Sequence, residues 1–427
     1  MFTAAFASLT KMNFNKLLSG NITKYQKEGF IMISVGIDVS KGKSTVCIMK
    51  PCGEILESPF DIGHTADELD SLISLIKSFD EETRVVMEDT GHYHLPVATY
   101  LSSHNIFVCC VNALRMKKFC SQSLRRAKTD KIDSIKIASF GITYWNELVK
   151  AYPSNVIYDE LKFLARQYYQ VTGMLVKSKV NFSNLLDQVM PKINDVLSNQ
   201  GENHKLTEFV SRYIHFQNIL DMGEMKFTSD YCKWAKKKGY RLNERKAAEI
   251  LALAQNGIPT LPNSQSVKIA VSEAVKLIHS IEESRNTILA QMQDLCNTLP
   301  EYSVVKEMDC IGDTLAPRII AEIGDVRRFK NKHSLIAYAG IDAPPYQSGA
   351  FHASERHISK RGNSYLRKTC YEIMQSLIKH KPADNAVYDF IQKKRSEGKC
   401  GKEAMIAGLN KFLRVYYGKV MEFYSEH

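Results

Sequence analysis

The stretch Ile33-Ser34-Val35-Gly36-Ile37-Asp38-Val39-Ser40-Lys41 decides how this chain is read. Its apolar residues have strand character, and the run ends in an acid and a turn. A second run, Arg84-Val85-Val86-Met87-Glu88-Asp89-Thr90-Gly91, closes on acids in the same way. Further along, Lys128-Thr129-Asp130-Lys131-Ile132-Asp133-Ser134 places two aspartates three residues apart, so on a helix they share one face. Carboxylates gathered from two strand ends and one helix repel one another unless a divalent cation neutralises them. Mg²⁺ takes hard oxygen ligands and completes its shell with waters and substrate phosphates. Paired ions of this kind stabilise both the attacking and the leaving oxygen of a phosphoryl displacement. Asp38, Glu88, Asp130 and Asp133 are therefore read as an acidic tetrad for Mg²⁺, with Mn²⁺ as the alternative, working on a nucleic-acid backbone. Strand alternation sends neighbours to opposite faces, so only one of Glu88 and Asp89 points inward, and Glu88 is chosen.

Working outward, residues 34–38 and 44–49 flank a turn at Lys41-Gly42-Lys43, and 55–60 follows Cys52-Gly53, which predicts a meander of three antiparallel strands. Residues 66–79 space Leu69, Leu72, Ile73, Leu75 and Ile76 as a helix does. A strand at 85–87, a helix at 95–102 and a strand at 106–111 follow. This is a mixed α/β sheet with acids at its strand ends, in the order of a ribonuclease-H-like nuclease core. From 158 to 190 the pattern turns helical, 208–220 and 244–255 are shorter helices, and 267–295 is a second long amphipathic one. Two long helices around a smaller unit predict a coiled-coil arm or bundle. The segment Ile258-Pro259-Thr260-Leu261-Pro262-Asn263-Ser264 breaks the helix between them.

The last third has a different grammar. Met308-Asp309-Cys310-Ile311-Gly312-Asp313 leads into an apolar helix and resembles a helix-hairpin-helix element, whose glycine turn offers backbone N–H groups to a phosphate. Cys310 stands where the first glycine is usual. Next come Tyr338-Ala339-Gly340, then Tyr346-Gln347-Ser348-Gly349, then the basic run 358–368. Lys360, Arg361, Arg367 and Lys368 there surround a glycine turn and helix start with Asn363, a candidate phosphate clamp. The expected fold class is α/β plus α. Residues 1–31 are read as a flexible extension and 32–150 as a ribonuclease-H/resolvase-like mixed-sheet domain. Residues 151–298 form a helical coiled-coil middle, and 299–427 a mainly helical C-terminal domain.

Composition narrows the class. At 427 residues the chain has room for two or three domains. A formal charge of +11, from 57 Lys+Arg against 46 Asp+Glu, suits a polyanionic partner. Arg115, Lys117, Lys118, Arg125, Arg126 and Lys128 make a basic approach to Asp130 and are expected to touch nucleic acid. The ten cysteines include no CxxC pair and no zinc-like cluster, which argues against structural zinc and for a reduced, cytoplasmic setting. No apolar stretch approaches the roughly 20 residues a bilayer requires.

Taken together, Gly36-Ile37-Asp38-Val39-Ser40-Lys41, Met87-Glu88-Asp89-Thr90-Gly91, Lys128-Thr129-Asp130-Lys131-Ile132-Asp133, Ala337-Tyr338-Ala339-Gly340, Gln347-Ser348-Gly349 and Ile358-Ser359-Lys360-Arg361-Gly362-Asn363 resemble the DEDD-type transposases of the insertion-sequence "one-ten" family. The likeness spans most of 32–380. It implies a resolvase-like N-terminal domain, a coiled-coil-bearing middle and a C-terminal transposase domain that together cut and rejoin DNA. Asp38, Glu88, Asp130 and Asp133 fall on the family's four acids, and Ser348 falls on its nucleophile, with Ser354 and Ser359 nearby. The family also implies donor and target DNA as partners and a structured guide RNA encoded by the element. Strand exchange joins two DNA partners, so a homo-oligomer, dimer or tetramer, is expected, with the long helices as its dimerisation device. The rival enzyme is a resolvase-like, metal-dependent endonuclease that hydrolyses branched DNA and does without Ser348. A third reading is a non-catalytic nucleic-acid-binding protein on a decayed core.

Overall fold

The structure, a computed structural model, describes residues 32–89, 91–121, 129–151, 156–199, 203–241, 243–344, 347–348, 351–352 and 357–427. The extension expected at 1–31 lies outside them. The chain divides into two compact units, residues 1–154 and 155–427.

The first unit is built on a mixed sheet of five strands, β1 (Met32–Val39), β2 (Lys43–Met49), β3 (Ile55–Gly63), β4 (Glu82–Glu88) and β5 (Phe107–Val111). Their order across the sheet is β3-β2-β1-β4-β5. β1, β2 and β3 pair antiparallel, as the meander predicts, and β4 and β5 add on parallel to β1. The parallel pairings need crossovers, supplied by α1 (Ala66–Lys77) and α2 (His94–Ser103); α3 (Ala113–Cys120) and α4 (Asp130–Thr143) follow.

Alternation along the strands sorts the two faces. Ile33, Val35, Ile37, Val85, Met87 and Val108 pack with Leu69, Leu72 and Ile76 of α1 and Val97 and Leu101 of α2. Val86, Cys109 and Val111 face the other way, toward Ile137 and Phe140 of α4. Full burial of such side chains contributes on the order of 1.5–3 kcal/mol each. On this second face α4 comes unusually close to β1. A Cβ at Gly36 would run into the Ala138 nitrogen and the Ser134 carbonyl and lie 2.7 Å from the Ala138 Cα. Gly36 is thus the residue that lets the helix backbone lie directly on the strand.

In the second unit two long helices dominate, α5 (Val156–Val189) and α11 (Gln265–Cys296). Between them come α6 (Ile193–Val196), α7 (Lys205–Tyr213), α8 (Phe216–Met222), α9 (Glu224–Lys237) and α10 (Glu244–Asn256). Leu175, Phe182, Leu186 and Val189 from the end of α5 share a core with Val267, Val271 and Val275 from the start of α11, closed over by α7–α10. Tyr158, Leu161, Ala165 and Tyr168 from the start of α5 meet Met292 and Cys296 from the end of α11 in a second core. The pair therefore runs antiparallel through both cores, tied midway by Lys179 Nζ and Glu282 Oε1 at 2.7 Å. That second core also holds α12 (Tyr302–Lys306), α13 (Gly312–Ile323), α14 (Lys332–Ala339), α15 (Ser364–His380), α16 (Ala386–Ser396) and α17 (Gly401–Glu426). The two-residue strands β6 (Gln347–Ser348) and β7 (Phe351–His352) pair between α14 and α15. No helix among the described residues is long and apolar enough to cross a membrane.

Candidate active site

Three of the four acids come to one end of one sheet face. Asp38 lies two residues beyond Gly36 and therefore projects from the face that α4 covers. Glu88 lies two residues beyond Val86, whose side chain would touch a Cβ on Gly141 of α4. The parallel register pairs Gly36 with Val86 and Ile37 with Met87, so Asp38 and Glu88 end adjacent strands at the same level. Asp89, one residue on, departs to the opposite side, where its Oδ1 lies 3.6 Å from the buried His94 ring. Across the face, Thr129 caps α4, its hydroxyl accepting from the Ile132 N–H, and sets Asp130 and Asp133 in the first turn, where the helix dipole favours acids. Asp133 precedes Ser134, the residue whose carbonyl rests against Gly36. That contact brings Asp133 over the strand end carrying Asp38; Asp130 is exposed one turn earlier.

The electrostatics of Cys120 report the same convergence. Burial pushes its thiol up; Asp133, Glu88 and Asp38 add to the shift and Lys136 opposes it. One thiol at the end of α3 thus feels three of the carboxylates. Lys136 was not anticipated from sequence. Its Nζ lies 3.5 Å from Asp133 Oδ1, both side chains being about three-quarters buried (22% and 24% exposed). The signal was present in the i,i+3 spacing, but only the closeness of α4 to β1 makes it matter.

The donor set suits a hard divalent cation, since it offers carboxylate oxygens alone on one sheet face. Among the described residues, however, no three His, Cys, Asp or Glu side chains are already gathered around a single point. Lys136 supplies part of the neutralising charge instead.

The basic residues divide differently from the expectation. Arg125, Arg126 and Lys128 lie outside the described residues, as does Ser354. Arg115 is engaged by Glu147 and stacked against Phe140 and Tyr144, so it belongs to the fold as much as to the surface. In the second unit Ser348 is the second residue of β6, paired with Phe351; side chains in β6 and β7 are outside the described part. Lys360 and Arg361 are exposed, Lys360 in the left-handed region at φ +52°. Arg367 Nη1 donates to the Ala339 carbonyl at 2.8 Å, and Lys368 Nζ sits 5.0 Å from the Tyr169 ring centre. Asn363 has both ends of its amide occupied within the protein: Oδ1 accepts from the Tyr365 and Leu366 N–H groups, and Nδ2 donates to Glu322.

The hairpin before α13 takes the expected turn, with Cys310 at φ +64° and Gly312 at φ +58°. It lines a cleft of about 720 Å³ whose charged residues include Glu307, Asp309, Asp313 and Glu372. The two bases there are paired, Lys306 with Asp313 at 2.5 Å and Arg318 with Glu372 at 2.6 Å. This balance of charge is poorly suited to a phosphate.

Residues 35–191 match a family model for DEDD-type transposases, and 302–389 match the transposase IS116/IS110/IS902 family, together more than half of the chain. The chain is similar to the insertion element IS110 uncharacterized 43.6 kDa protein of Streptomyces coelicolor, at 22% identity over 70% of this chain and 72% of the relative. It is similar to the insertion element IS116 uncharacterized 44.8 kDa protein of Streptomyces clavuligerus, at 22% over 88% and 91%. A pilin gene-inverting protein of Moraxella bovis matches at 26% identity over 31% of this chain and 42% of its own. Among solved structures, T. thermophilus RuvC in complex with a Holliday junction substrate aligns over 27% of this chain and 96% of that one, at 10% identity and a TM-score of 0.21, a likeness too slight to carry an argument. The chain belongs to the IS116/IS110/IS902 family of transposases and is a DNA transposase.

Proposed function

We propose that this transposase cuts and rejoins DNA through a covalent Ser348 intermediate, with Asp38, Glu88, Asp133 and Asp130 holding Mg²⁺ or Mn²⁺. The observation that carries the metal reading is the placement of Asp38 and Glu88, each one residue past the Ile37–Met87 pair of adjacent parallel strands, on the face that α4 covers. When bound, the cation would neutralise these acids and steady the attacking and departing oxygens. The Ser348 Oγ forms a bond to phosphorus as a DNA oxygen leaves, and the serine proton goes to solvent or base. The new phosphodiester keeps the bond energy, and a DNA hydroxyl later displaces the serine, which regains its proton. Lys360 and Arg361, exposed beside the hairpin that carries Ser348, offer charge to the phosphate, with Arg367, Lys368 and Asn363 shaping that turn. Arg125, Arg126 and Lys128 lead the DNA toward the acids.

In this reading the first unit is a ribonuclease-H/resolvase-like domain. The region 151–298 serves as a coiled-coil arm for a dimer or tetramer, and 299–427 is the transposase domain. A structured RNA from the element pairs with donor and target DNA, so that base pairing carries sequence and the protein reads backbone. The setting is cytoplasmic, which agrees with ten free cysteines. The test is a denaturing gel of purified protein with Mg²⁺, element RNA and labelled junction DNA, running wild type, Ser348→Ala and Asp38→Ala together. A protein–DNA adduct lost in both variants is expected. Free cleaved DNA that ignores Ser348→Ala would instead favour the resolvase-like endonuclease hydrolysing branched DNA.

A further inference from the structure

The chain enters and leaves the Ser348 hairpin through a narrow neck. The Asn363 N–H donates to the Tyr338 carbonyl at 2.6 Å, Lys360 N–H to Gly340 at 2.9 Å, and Ser359 N–H to Asp342 at 2.8 Å. Ser359 Oγ also donates to Asp342 Oδ1 at 2.5 Å. Two glycines make the crossing possible. A Cβ on Gly340 would lie 2.8 Å from the Gly362 nitrogen, and one on Gly362 would lie 2.5 Å from the Gly340 nitrogen and collide with the Tyr338 carbonyl. The motifs around Tyr338 and Lys360 are therefore the two sides of one neck, and the paired strands β6, which carries Ser348, and β7 lie between them in the chain.

Beneath the neck is a buried carboxylate. Glu322 on α13 is 1% exposed, and its Oε2 accepts from Asn363 Nδ2 at 2.7 Å and from Arg166 Nη2 at 3.0 Å. The same Asn363 nitrogen lies 3.3 Å from the Tyr338 hydroxyl. Arg166, on α5, lies over the ring of Tyr365, in the first turn of α15, at 3.5 Å. Glu322 Oε1 has no hydrogen-bond partner, and burial pushes this carboxyl above its usual range while Asn363, Arg166, Lys162 and Arg318 pull it down. A buried acid with an orphan oxygen destabilises a fold, so packing alone does not explain its presence.

We propose that Glu322 is a positioning residue for the nucleophile hairpin: it holds the Asn363 amide, which at once caps α15 and fixes the return strand of the neck, and so sets where Ser348 is presented. The inference rests on the reading of Ser348 as nucleophile. It does not require Glu322 to touch DNA.

The test combines hydrogen exchange with adduct formation, using the full chain. Glu322→Met removes both acceptors in a similar volume, and Asn363→Ser keeps the cap but cannot reach Glu322. Both should speed exchange of the Lys360 and Asn363 N–H groups by about tenfold or more while distant α17 amides keep their protection. Both should also slow adduct formation by roughly 100-fold, since a misplacement of about 1 Å costs that much, and Glu322→Met should do so with DNA affinity little changed. Glu322→Gln retains a carbonyl acceptor and should recover most of both signals. Unchanged exchange at the neck overturns the proposal, as does a loosened neck with an unaltered adduct rate. An adduct that persists in Ser348→Ala would refute the serine reading instead, leaving the exchange result to judge the neck alone.

Discussion

Replacing Gly36 by alanine perturbs the position on which both the fold of the first unit and its acid site depend. The added Cβ would lie 2.7 Å from the Ala138 Cα and closer still to the backbone of Ser134 and Ala138. Carbon pairs settle at about 3.5–4.0 Å, so α4 must retreat by roughly 1 Å. All three opposing atoms are backbone, and no side chain can turn aside to absorb the strain. Overpacking of this kind costs about 1–3 kcal/mol, which for a domain of this size lowers the melting temperature by roughly 2–10 °C. The same retreat carries Asp130 and Asp133 away from Asp38 and Glu88, and a 1 Å error in a catalytic constellation costs about 100-fold in rate. Thermal unfolding followed by circular dichroism and metal-dependent cleavage of junction DNA would measure the two effects. Gly36→Ala with unchanged melting and unchanged cleavage would refute the packing argument and, with it, the placement of Asp133 over Asp38.

A contrasting pair tests the same interface from the helix side: Gly141→Ala meets mainly the Ser34 hydroxyl, which is buried without a partner, so adding Ser34→Ala should restore most of the stability lost in Gly141→Ala. If the double variant is no better than the single one, the crowding lies elsewhere. Asp38→Asn and Glu88→Gln should each abolish strand cleavage, whereas Asp89→Asn, on the far side by His94, should retain it; equal losses in a cleavage assay would put Asp89 in the site. Cys310→Gly should raise stability by up to about 1 kcal/mol, because φ +64° is costly for a residue with a Cβ, and a measured loss in urea unfolding would contradict this. Asp230 accepts from Arg212 Nη2 at 2.6 Å and from Tyr213 Oη at 2.8 Å, and the Arg212 bond holds its carboxyl below the usual range. A lowered folded value means stability that is present above the ordinary aspartate range and lost as pH falls through the lowered one. Asp230→Asn should therefore cost about 1–3 kcal/mol near pH 7 and converge with wild type in strong acid; a constant gap down to low pH would count against it.

What was legible in sequence follows the ranges of the forces involved. The five strands could be read from runs of β-branched residues and from the turns at Gly42 and Gly53, because alternation and turn chemistry are local. That Glu88 and Asp89 would diverge needed only the two-residue period of a strand, and Asp89 does turn toward His94; the period does not say which of the two is the ligand. The long helices declared themselves by apolar spacing. Their packing did not: α5 and α11 each contribute to two cores, which no local pattern specifies. The proline-bearing segment 258–264 does break the helix, between Asn256 and Gln265, but its folding back on α5, with the Thr260 and Leu261 N–H groups both reaching the Gln188 carbonyl, was not legible. Lys136 and Glu322 stayed hidden for one reason. An acid between Ala321 and Ile323, or a lysine three residues after an aspartate, acquires meaning only when a distant element is packed against it. Asn363 shows the same limit, since a residue in a basic run looked directed at nucleic acid while its amide is used up inside the protein.

The most direct test of the account is to trap the reaction of wild-type protein with Mg²⁺, element RNA and junction DNA, digest both polymers, and map the nucleotide-bearing peptide by mass spectrometry. The account predicts a single modified residue, Ser348. A nucleotide on Ser354 or Ser359, or cleaved DNA with no modified peptide at all, would contradict it.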